Sequence, residues 1–374
     1  MKILQLGKAY PPVNLGGVEV VIQNLHEELN KINIDCDALG VNDSCIEKTE
    51  FGINGGKIYR AKRLFKLFST LFSINLILIL NRIKNNYDII HIHSPDPMAA
   101  FALYITKPKS KIVLHWHSDI IKQKFLLFFY SPLLKWLISK SDIIITTSPI
   151  YAPKSYFLRN QLNKVISVPL GSDINSNSFD ISYYNKLKGD FKNKKILLSI
   201  GRLSYYKGYN FLIDAMNNLD DSYVLLIMGN GDLMADLQRK ITMLNLTHKV
   251  FLLGSLNNLQ KNSLYKVCDM FILGSFYKTE AFGIVQIEAM AFGKPVISTN
   301  IYGSGVPWVN KNDISGIVVP IKDSLAITKA ILEISKNEIL YSRYSKGALD
   351  RFNENFKLEI MIKKIFLVYK NLLQ

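Results

Sequence analysis

Cysteine is scarce: the 374-residue chain has three, Cys36, Cys45 and Cys268, and no C-x-x-C pair among them. That excludes disulfide-rich secreted folds and zinc ribbons. Glycine (21) and proline (12) are few, so a collagen-like repeat, a low-complexity linker and a disordered chain do not fit. A membrane-spanning run is also missing. The apolar stretch 67–80 is broken by Ser69, Thr70, Ser73 and Asn75, and it is shorter than the roughly 20 residues a bilayer requires. The opening residues, MKILQLGKAYPP, lose their apolar run at Gly7 and Lys8. No secretory signal is expected from them, and a reducing, cytoplasmic setting is. What is present is globular, with 48% apolar and 20% charged residues. At ~100–200 residues per domain, two domains are the simplest reading, and a chain of this length buries its core without staples.

The formal net charge is +16, and its placement says more than its size. Between residues 51 and 141 fourteen Lys or Arg face three acids, Asp88, Asp96 and Asp119. Two stretches in that window, RAKRLFKLFSTLFSINLILIL (60–80) and IIKQKFLLFFYSPLLKWLISK (120–140), mix basic with aliphatic and aromatic residues. A basic surface attracts nucleic acid or acidic lipid. The interleaved Phe, Leu and Trp favour a peripheral contact with a membrane surface over a duplex. The plainer alternative is a set of core helices with solvated lysines outside.

Short apolar runs alternate with helical patterns along the whole chain. Strands are expected at 2–7, 35–41, 88–94, 111–117, 142–148 and 164–171, and again at 195–201, 223–229, 250–254, 269–275, 295–299 and 315–320. Their near-continuous apolar character suits parallel strands covered on both faces. Helical patterns run over 18–32, 208–219, 288–293 and 358–373. The alternation predicts an α/β, doubly wound architecture. The series restarts near 195, and the polar, aperiodic stretch 174–194 reads as the connection. The expected organisation is a Rossmann-like domain over 1–175, a second over 190–355, a cleft between them, and a final helix over 356–374 returning to the first domain.

Ligands of open α/β sheets bind at the carboxyl ends of strands, where glycines admit the backbone and helix N-termini face anions. Four features fall there. YPPVNLGGVE (10–19) follows the first strand; Gly16 and Gly17 lack the dinucleotide spacing and form either a phosphate-approaching turn or a plain one. GRLSYYKG (201–208) offers Arg202, a planar fork of donors, and Lys207, a point charge, both able to converge on a diphosphate. In SFYKTEAFGIVQIEAMAFGKPVIST (275–299), Glu280 lies in a loop and Glu288 on a helix, with Ala281, Phe282 and Gly283 turning the backbone between them. Carboxylates accept hydrogen bonds from sugar hydroxyls; a glycosidase pair would instead have to flank one scissile bond. Last, His91, His93, His115 and His117 form two H-x-H strands, and i,i+2 spacing puts each pair on one sheet face. Such strands can bind a metal, but His26 and His248 lie elsewhere and no acid follows at ligand spacing, so no metal is expected. His91 and His115 belong in or near the core, and His117, ahead of Ser118 and Asp119, faces the cleft. Asp35-Cys36-Asp37 spells a D-x-D motif but sits within a strand.

Together these motifs resemble the family 4 retaining glycosyltransferases of the GT-B fold. The resemblance runs in order through GGVE, HIHSPDP, HWHSDI, TTSP, VPLGSD, GRLSYYKG, GNGD, VFLLG, TEAFGIVQIEAMAFGKPVIST and SGIVVPIKD. HSDIIKQK and GSGVPWVN look like the subgroup of O-antigen and exopolysaccharide clusters. The resemblance implies that Gly16 and Gly17 bring amides to the donor, that Arg202 and Lys207 hold its diphosphate, and that Glu288 accepts from the ribose. It implies that Glu280, with the amides near Phe282 and Gly283, positions the donor hexose while His117 sits beside the reacting sugar. GNGDL (229–233) departs from the pattern in lacking the usual proline. The implied activity is retaining, metal-independent hexosyl transfer from a nucleotide sugar, GDP-mannose ahead of a UDP-hexose. The implied acceptor is an undecaprenyl-diphosphate-linked saccharide at the inner face of the cytoplasmic membrane, with no cofactor and no nucleic acid. A GT-B-like sugar-nucleotide epimerase and a metal-dependent hydrolase using the H-x-H pairs are the alternatives.

Overall fold

The computed structural model describes residues 1–12, 16–67, 70–120 and 124–374. Residues 13–15 of the paired-glycine segment, 68–69 of the first basic stretch and 121–123 of the second lie outside the described residues. The chain forms two compact units, Met1–Leu170 with Leu358–Gln374, and Gly171–Lys357.

The first unit contains β1 (Lys2–Leu6), α1 (Gly17–Lys31), β2 (Asp35–Val41), β3 (Lys48–Gly52), β4 (Gly55–Ala61), a small hairpin of β5 (Phe65–Leu67) and β6 (Thr70–Phe72), and α2 (Ile74–Ile83). It continues with β7 (Ile89–Ser94), α3 (Pro97–Thr106), β8 (Lys111–Trp116), α4 (Lys124–Lys140), β9 (Ile143–Thr146) and β10 (Val165–Ser167). The main sheet has the order β10-β9-β8-β7-β1-β2-β4-β3, parallel except that β3 runs antiparallel to β4. All six residues of β7 are buried, as its position in the middle of a covered sheet demands. The strands β3 and β4 escape an apolar reading for a physical reason. No residue of β3 is fully buried, and β4 spends two of its seven positions on glycine and buries Arg60 beside Ile58 and Ala61.

The second unit runs through α5 (Ile181–Asp190), β11 (Lys195–Ile200), α6 (Tyr209–Asn217), β12 (Tyr223–Met228), α7 (Met234–Met243), β13 (Val250–Gly254), α8 (Asn258–Val267) and β14 (Met270–Leu273). Then come α9 (Ile284–Ala291), β15 (Val296–Thr299), α10 (Val306–Val309), β16 (Gly316–Val319), α11 (Ser324–Ser335) and α12 (Glu338–Arg351). The last helix, α13 (Leu358–Leu373), belongs to the first unit. The second sheet is wholly parallel in the order β13-β12-β11-β14-β15-β16. Its core sets Leu197 and Leu225 against Leu212, Ile213, Ile241 and Ile331 of the covering helices, each worth about 1.5–3 kcal/mol on full burial.

The expected connection over 174–194 needs correcting. Ile181–Asp190 is the helix α5, started by Asp180, whose Oδ1 accepts from the Tyr183 amide at 2.9 Å. It is tied to α8 by Ser263 Oγ donating to the Asp180 carbonyl at 2.8 Å. Because α5 fully buries only Leu187, it carries no 3.6-residue apolar stripe to be read. The stretch therefore belongs to the second unit, which begins at Gly171.

Both sheets reverse their winding direction once. In the first unit the reversal falls between β1 and β7, in the second between β11 and β14. The loops leaving those strands frame the crevice where open α/β sheets take ligands. In the second unit Gly208 makes the crossing possible: it holds φ +72, and a Cβ there would stand 2.1 Å from the Gly274 carbonyl oxygen. Gly208→Ala therefore meets left-handed strain and an unyielding backbone atom at once. It should lower stability by at least about 2 kcal/mol, read as a lower urea midpoint; an unchanged midpoint would show that the two loops can separate.

Candidate active site

The strand β11 ends at Ile200, and the loop after it is locked by the Leu203 amide donating to the Asn230 carbonyl at 2.9 Å. One short 3-10 turn, Tyr205–Lys207, then carries Lys207 into a buried position. From the other side of the reversal, the loop after β14 brings Glu280 to it, with Nζ to Oε2 at 2.5 Å. Ser275 Oγ donates to the same oxygen at 3.0 Å. Burial disfavours the Lys207 charge, but the Glu280 carboxylate together with the Tyr206 and Tyr209 phenols more than offsets it, so the ammonium's pKa is raised. The lysine stays a cation, and the pair joins the two loops across the crevice. Arg202, on the same loop, is exposed.

The segment 303–307 braces this arrangement. Ser304 Oγ donates to the Glu280 carbonyl, and the Gly305 amide to the Ala281 carbonyl at 2.8 Å. Phe282 points inward, edge-on to Phe356 at 5.9 Å, so it offers a ligand its backbone only. Gly283 begins α9 at φ +72, where a Cβ would stand 2.7 Å from Leu273. Glu288 lies on α9, and its two oxygens accept from Lys261 Nζ and Tyr265 OH, both at 2.8 Å. These partners sit four apart on α8 and so share one face. The eight-residue gap between the two glutamates thus separates them onto different lysines, against a paired-carboxylate hydrolase. Sequence reasoning missed Ser275, Lys261 and Tyr265; the i,i+4 spacing of the last two was the available signal.

In the first unit the loop after β1 is held from both ends. Asp96, which caps α3, accepts from the Lys8 amide at 2.6 Å. Arg60 donates to the carbonyls of Tyr10 and Pro11 at 2.6 and 2.8 Å, and through Nε to Glu50 at 2.6 Å. Arg60 is therefore a buried brace and not part of a basic surface. Gly16 stands extended at the start of α1, with φ −118, and Gly17 is exposed with open space where a Cβ would be. Both cysteine-flanking aspartates stay structural or solvated: Asp37 is taken by Tyr87 OH at 2.7 Å and the Lys57 amide at 2.5 Å, and Asp35 is exposed.

The four histidines form one stack. The register pairs His93 with His115, and alternation turns all four rings to one face of the sheet. Neighbouring centroids lie 4.2 Å apart for His115–His117, 4.7 Å for His91–His93 and 5.2 Å for His93–His117. His91, His93 and His115 are fully buried, whereas His117 keeps 7% of its surface exposed. Burial, with the neighbouring imidazoles, holds His91, His93 and His117 well below the ordinary histidine pKa, and burial takes His115 down to about 3. His91, His93 and His115 each bring a nitrogen within 4.8 Å of the others, so this is where the described residues could hold a metal. The donor set is three neutral imidazoles without an acid.

Comparison with known proteins identifies the family and the fold. The families described as Glycosyl transferases group 1 and Glycosyltransferase Family 4 match residues 185–351 and 15–153. The chain is 31% identical to the O-antigen chain mannosyltransferase C of Escherichia coli, covering 100% of this chain and 99% of that one. It is 29% identical to the D-rhamnosyltransferase WbpZ of Pseudomonas aeruginosa, over 95% and 92% of the two chains. Among solved structures, sucrose-phosphate synthase from Thermosynechococcus elongatus superposes with TM-score 0.82 at 19% identity over 100% and 99% of the chains. Anabaena HepE in complex with UDP-glucose gives 0.77 at 20% identity over 99% and 100%. The fold is GT-B. The chain belongs to the family 4, group 1 glycosyltransferases and is a glycosyltransferase.

The stack makes stability depend on pH in a fixed sense. The folded chain keeps these rings neutral, while the unfolded chain protonates them below about pH 6.5. Stability is thus complete above that value and falls as pH drops, by about 1.4 kcal/mol per pH unit for each ring. Urea unfolding between pH 7.5 and 5.5 should show this, and His115→Phe should reduce the slope by about one ring's share. An unchanged slope would mean that His115 takes up a proton in the folded state.

Proposed function

We propose that the protein is a retaining, metal-independent hexosyltransferase acting on a nucleotide sugar, GDP-mannose first and a UDP-hexose next. The observation that carries this reading is the Lys207–Glu280 pair held by Ser275 at the reversal of the second sheet. Glycosyl transfer passes through an oxocarbenium-like state while negative charge grows on the leaving diphosphate. A buried lysine that stays charged, an exposed arginine on the same loop and the N-terminus of α9 supply fixed positive potential for that charge. A metal is then not needed for it. Glu280 already accepts from Lys207 and Ser275, and in this reading it orients the donor hexose and does not attack it. Glu288 can accept ribose hydroxyls beside Lys261 and Tyr265, because each carboxylate oxygen accepts more than one hydrogen bond. Gly16 and Gly17, at the start of α1, bring amides to the donor, and His117 lies beside the reacting sugar. In a front-face transfer the departing phosphate takes the proton of the acceptor hydroxyl as the new bond forms, which retains configuration.

The relatives named for O-antigen mannose and for D-rhamnose transfer support a role in bacterial surface polysaccharide and a mannose-type donor sugar, while the Anabaena structure holds UDP-glucose. Titrating the purified protein with GDP and UDP in EDTA separates the two. GDP binding alone supports mannose; UDP alone supports a galactose-, glucose- or hexosamine-type donor; binding that requires a divalent ion overturns the metal-free mechanism. Glu280→Ala should cut kcat by at least about a hundredfold; full activity, or a sugar trapped covalently on the protein, would refute the site or the front-face step.

The acceptor in this reading is an undecaprenyl-diphosphate-linked saccharide, met at the inner face of the cytoplasmic membrane. No helix among the described residues is long and apolar enough to cross a membrane. The first unit exposes Leu64, Phe65, Leu78, Phe101, Ile105 and Phe128 on elements that pack successively together, β5–β6 and α2 against α3, and α3 against α4. Lys62 and Lys66 are exposed beside them, whereas Arg63 is paired with Asp43. Lys62→Ala and Lys66→Ala should each weaken binding to anionic vesicles about fivefold at low salt, with the difference shrinking as salt rises. Unchanged partitioning would remove the membrane from the reading.

A further inference from the structure

His117 is connected to the interior by a chain of hydrogen bonds with a direction. Its Nε2 lies 2.9 Å from His93 Nδ1, and His93 Nε2 lies 2.9 Å from Gln5 Oε1. The Gln5 amide is oriented from its other end: Nε2 donates to Tyr369 OH at 3.3 Å and to Cys36 Sγ at 3.6 Å. An amide oxygen has lone pairs and no proton, so His93 must donate to it from Nε2. A neutral imidazole with its proton on Nε2 has a bare Nδ1, which can only accept. His117 must then carry its own proton on Nε2 and direct it at His93. That leaves Nδ1 of His117 as a lone pair, on the one ring of the stack that reaches the surface.

We propose that Gln5 and His93 are positioning residues that fix His117 as the Nε2–H tautomer, so that its Nδ1 accepts a hydrogen bond from a hydroxyl of the bound sugar. The inference rests on the proposed place of His117 beside the reacting sugar. It goes further in assigning chemistry: His117 is an acceptor of a hydroxyl proton and not a cation or a donor to the leaving group. Its burial agrees, since a proton added there would meet the stacked rings of His93 and His115 and the positive charge of Lys8. The substrate class follows. The sugar presents a hydroxyl at this point, and an analogue with fluorine or hydrogen in its place loses the contact while still fitting the site.

The direct test reads the tautomer itself. The protein carrying nitrogen-15 histidine, without nucleotide, gives one resonance pair per ring, assigned by single His→Asn variants. The expected spectrum shows His93 and His117 neutral and protonated at Nε2; a proton on Nδ1 of His117 overturns the proposal whatever the enzyme transfers. Gln5→Met keeps the volume and removes the accepting oxygen. It should mix the tautomers of His93 and His117 and lower kcat about tenfold or more with the nucleotide-sugar KM within about twofold, while Gln5→Glu, which keeps an accepting oxygen, restores the tautomer. A Gln5→Met protein with unaltered tautomers and kcat refutes the relay. If the tautomers follow the expectation but no nucleotide sugar is turned over, the relay stands and the functional reading fails.

Discussion

The ion pair between Lys207 and Glu280 is the contact on which the second unit's chemistry depends. A buried lysine and a half-buried glutamate are costly apart and acceptable together. Their cost is met only because two loops on opposite sides of a winding reversal end at the same depth. Everything around the pair serves that meeting. Gly208 lets one loop lie on the Gly274 carbonyl, Ser275 supplies a second donor, and Ser304 with Gly305 fixes the backbone that carries Glu280. The result is an ammonium fixed in place before any ligand arrives, and in the proposed reaction that is the form of electrostatic help a departing diphosphate would use.

The first unit solves a different problem with uncharged groups. Four imidazoles on two adjacent parallel strands would repel one another if protonated, and burial keeps them neutral. Neutral rings stack, and a neutral ring must choose where its one proton sits. The choice is made from below, at Gln5 in β1 and Tyr369 in α13, with Tyr369 OH also meeting His91 Nδ1. A residue from the last helix thereby takes part in setting the state of a ring at the end of β8.

Most of the fold was legible because parallel strands covered on both faces must be apolar almost throughout, and the twelve strands read that way are all present, ten of them trimmed at their ends. What failed to show was structure without an apolar stripe: β3 and β4, with glycine and a buried arginine in place of aliphatic side chains, and α5, which buries one leucine. The site divides in the same manner. Lys207, Glu280 and Gly283 stand in loops that follow strands or at a helix start, where chain order alone points, and Glu288 lies one turn into that helix. Lys261, Tyr265 and Arg60 act through partners distant in sequence, and beyond the i,i+4 spacing of the first two no local pattern marks them; Ser275 lies five residues from Glu280, with nothing in the sequence to single it out. Gln5 was visible as the one uncharged polar residue in KILQL, yet its meaning depended on which strand lay beside it.

The first unit is discontinuous, since α13 returns to it after the whole of Gly171–Lys357 has been made. A chain leaving the ribosome at about 5–20 residues per second spends on the order of ten to forty seconds on the intervening unit. Throughout that interval Gln5 and His91 have no Tyr369 to bond, and the sheet face that α13 will cover stays open to solvent. The unit that begins first is thus the one completed last, so the nascent chain carries an exposed apolar face for about half of its synthesis. Holding that face apart from other chains is a demand the finished enzyme no longer displays.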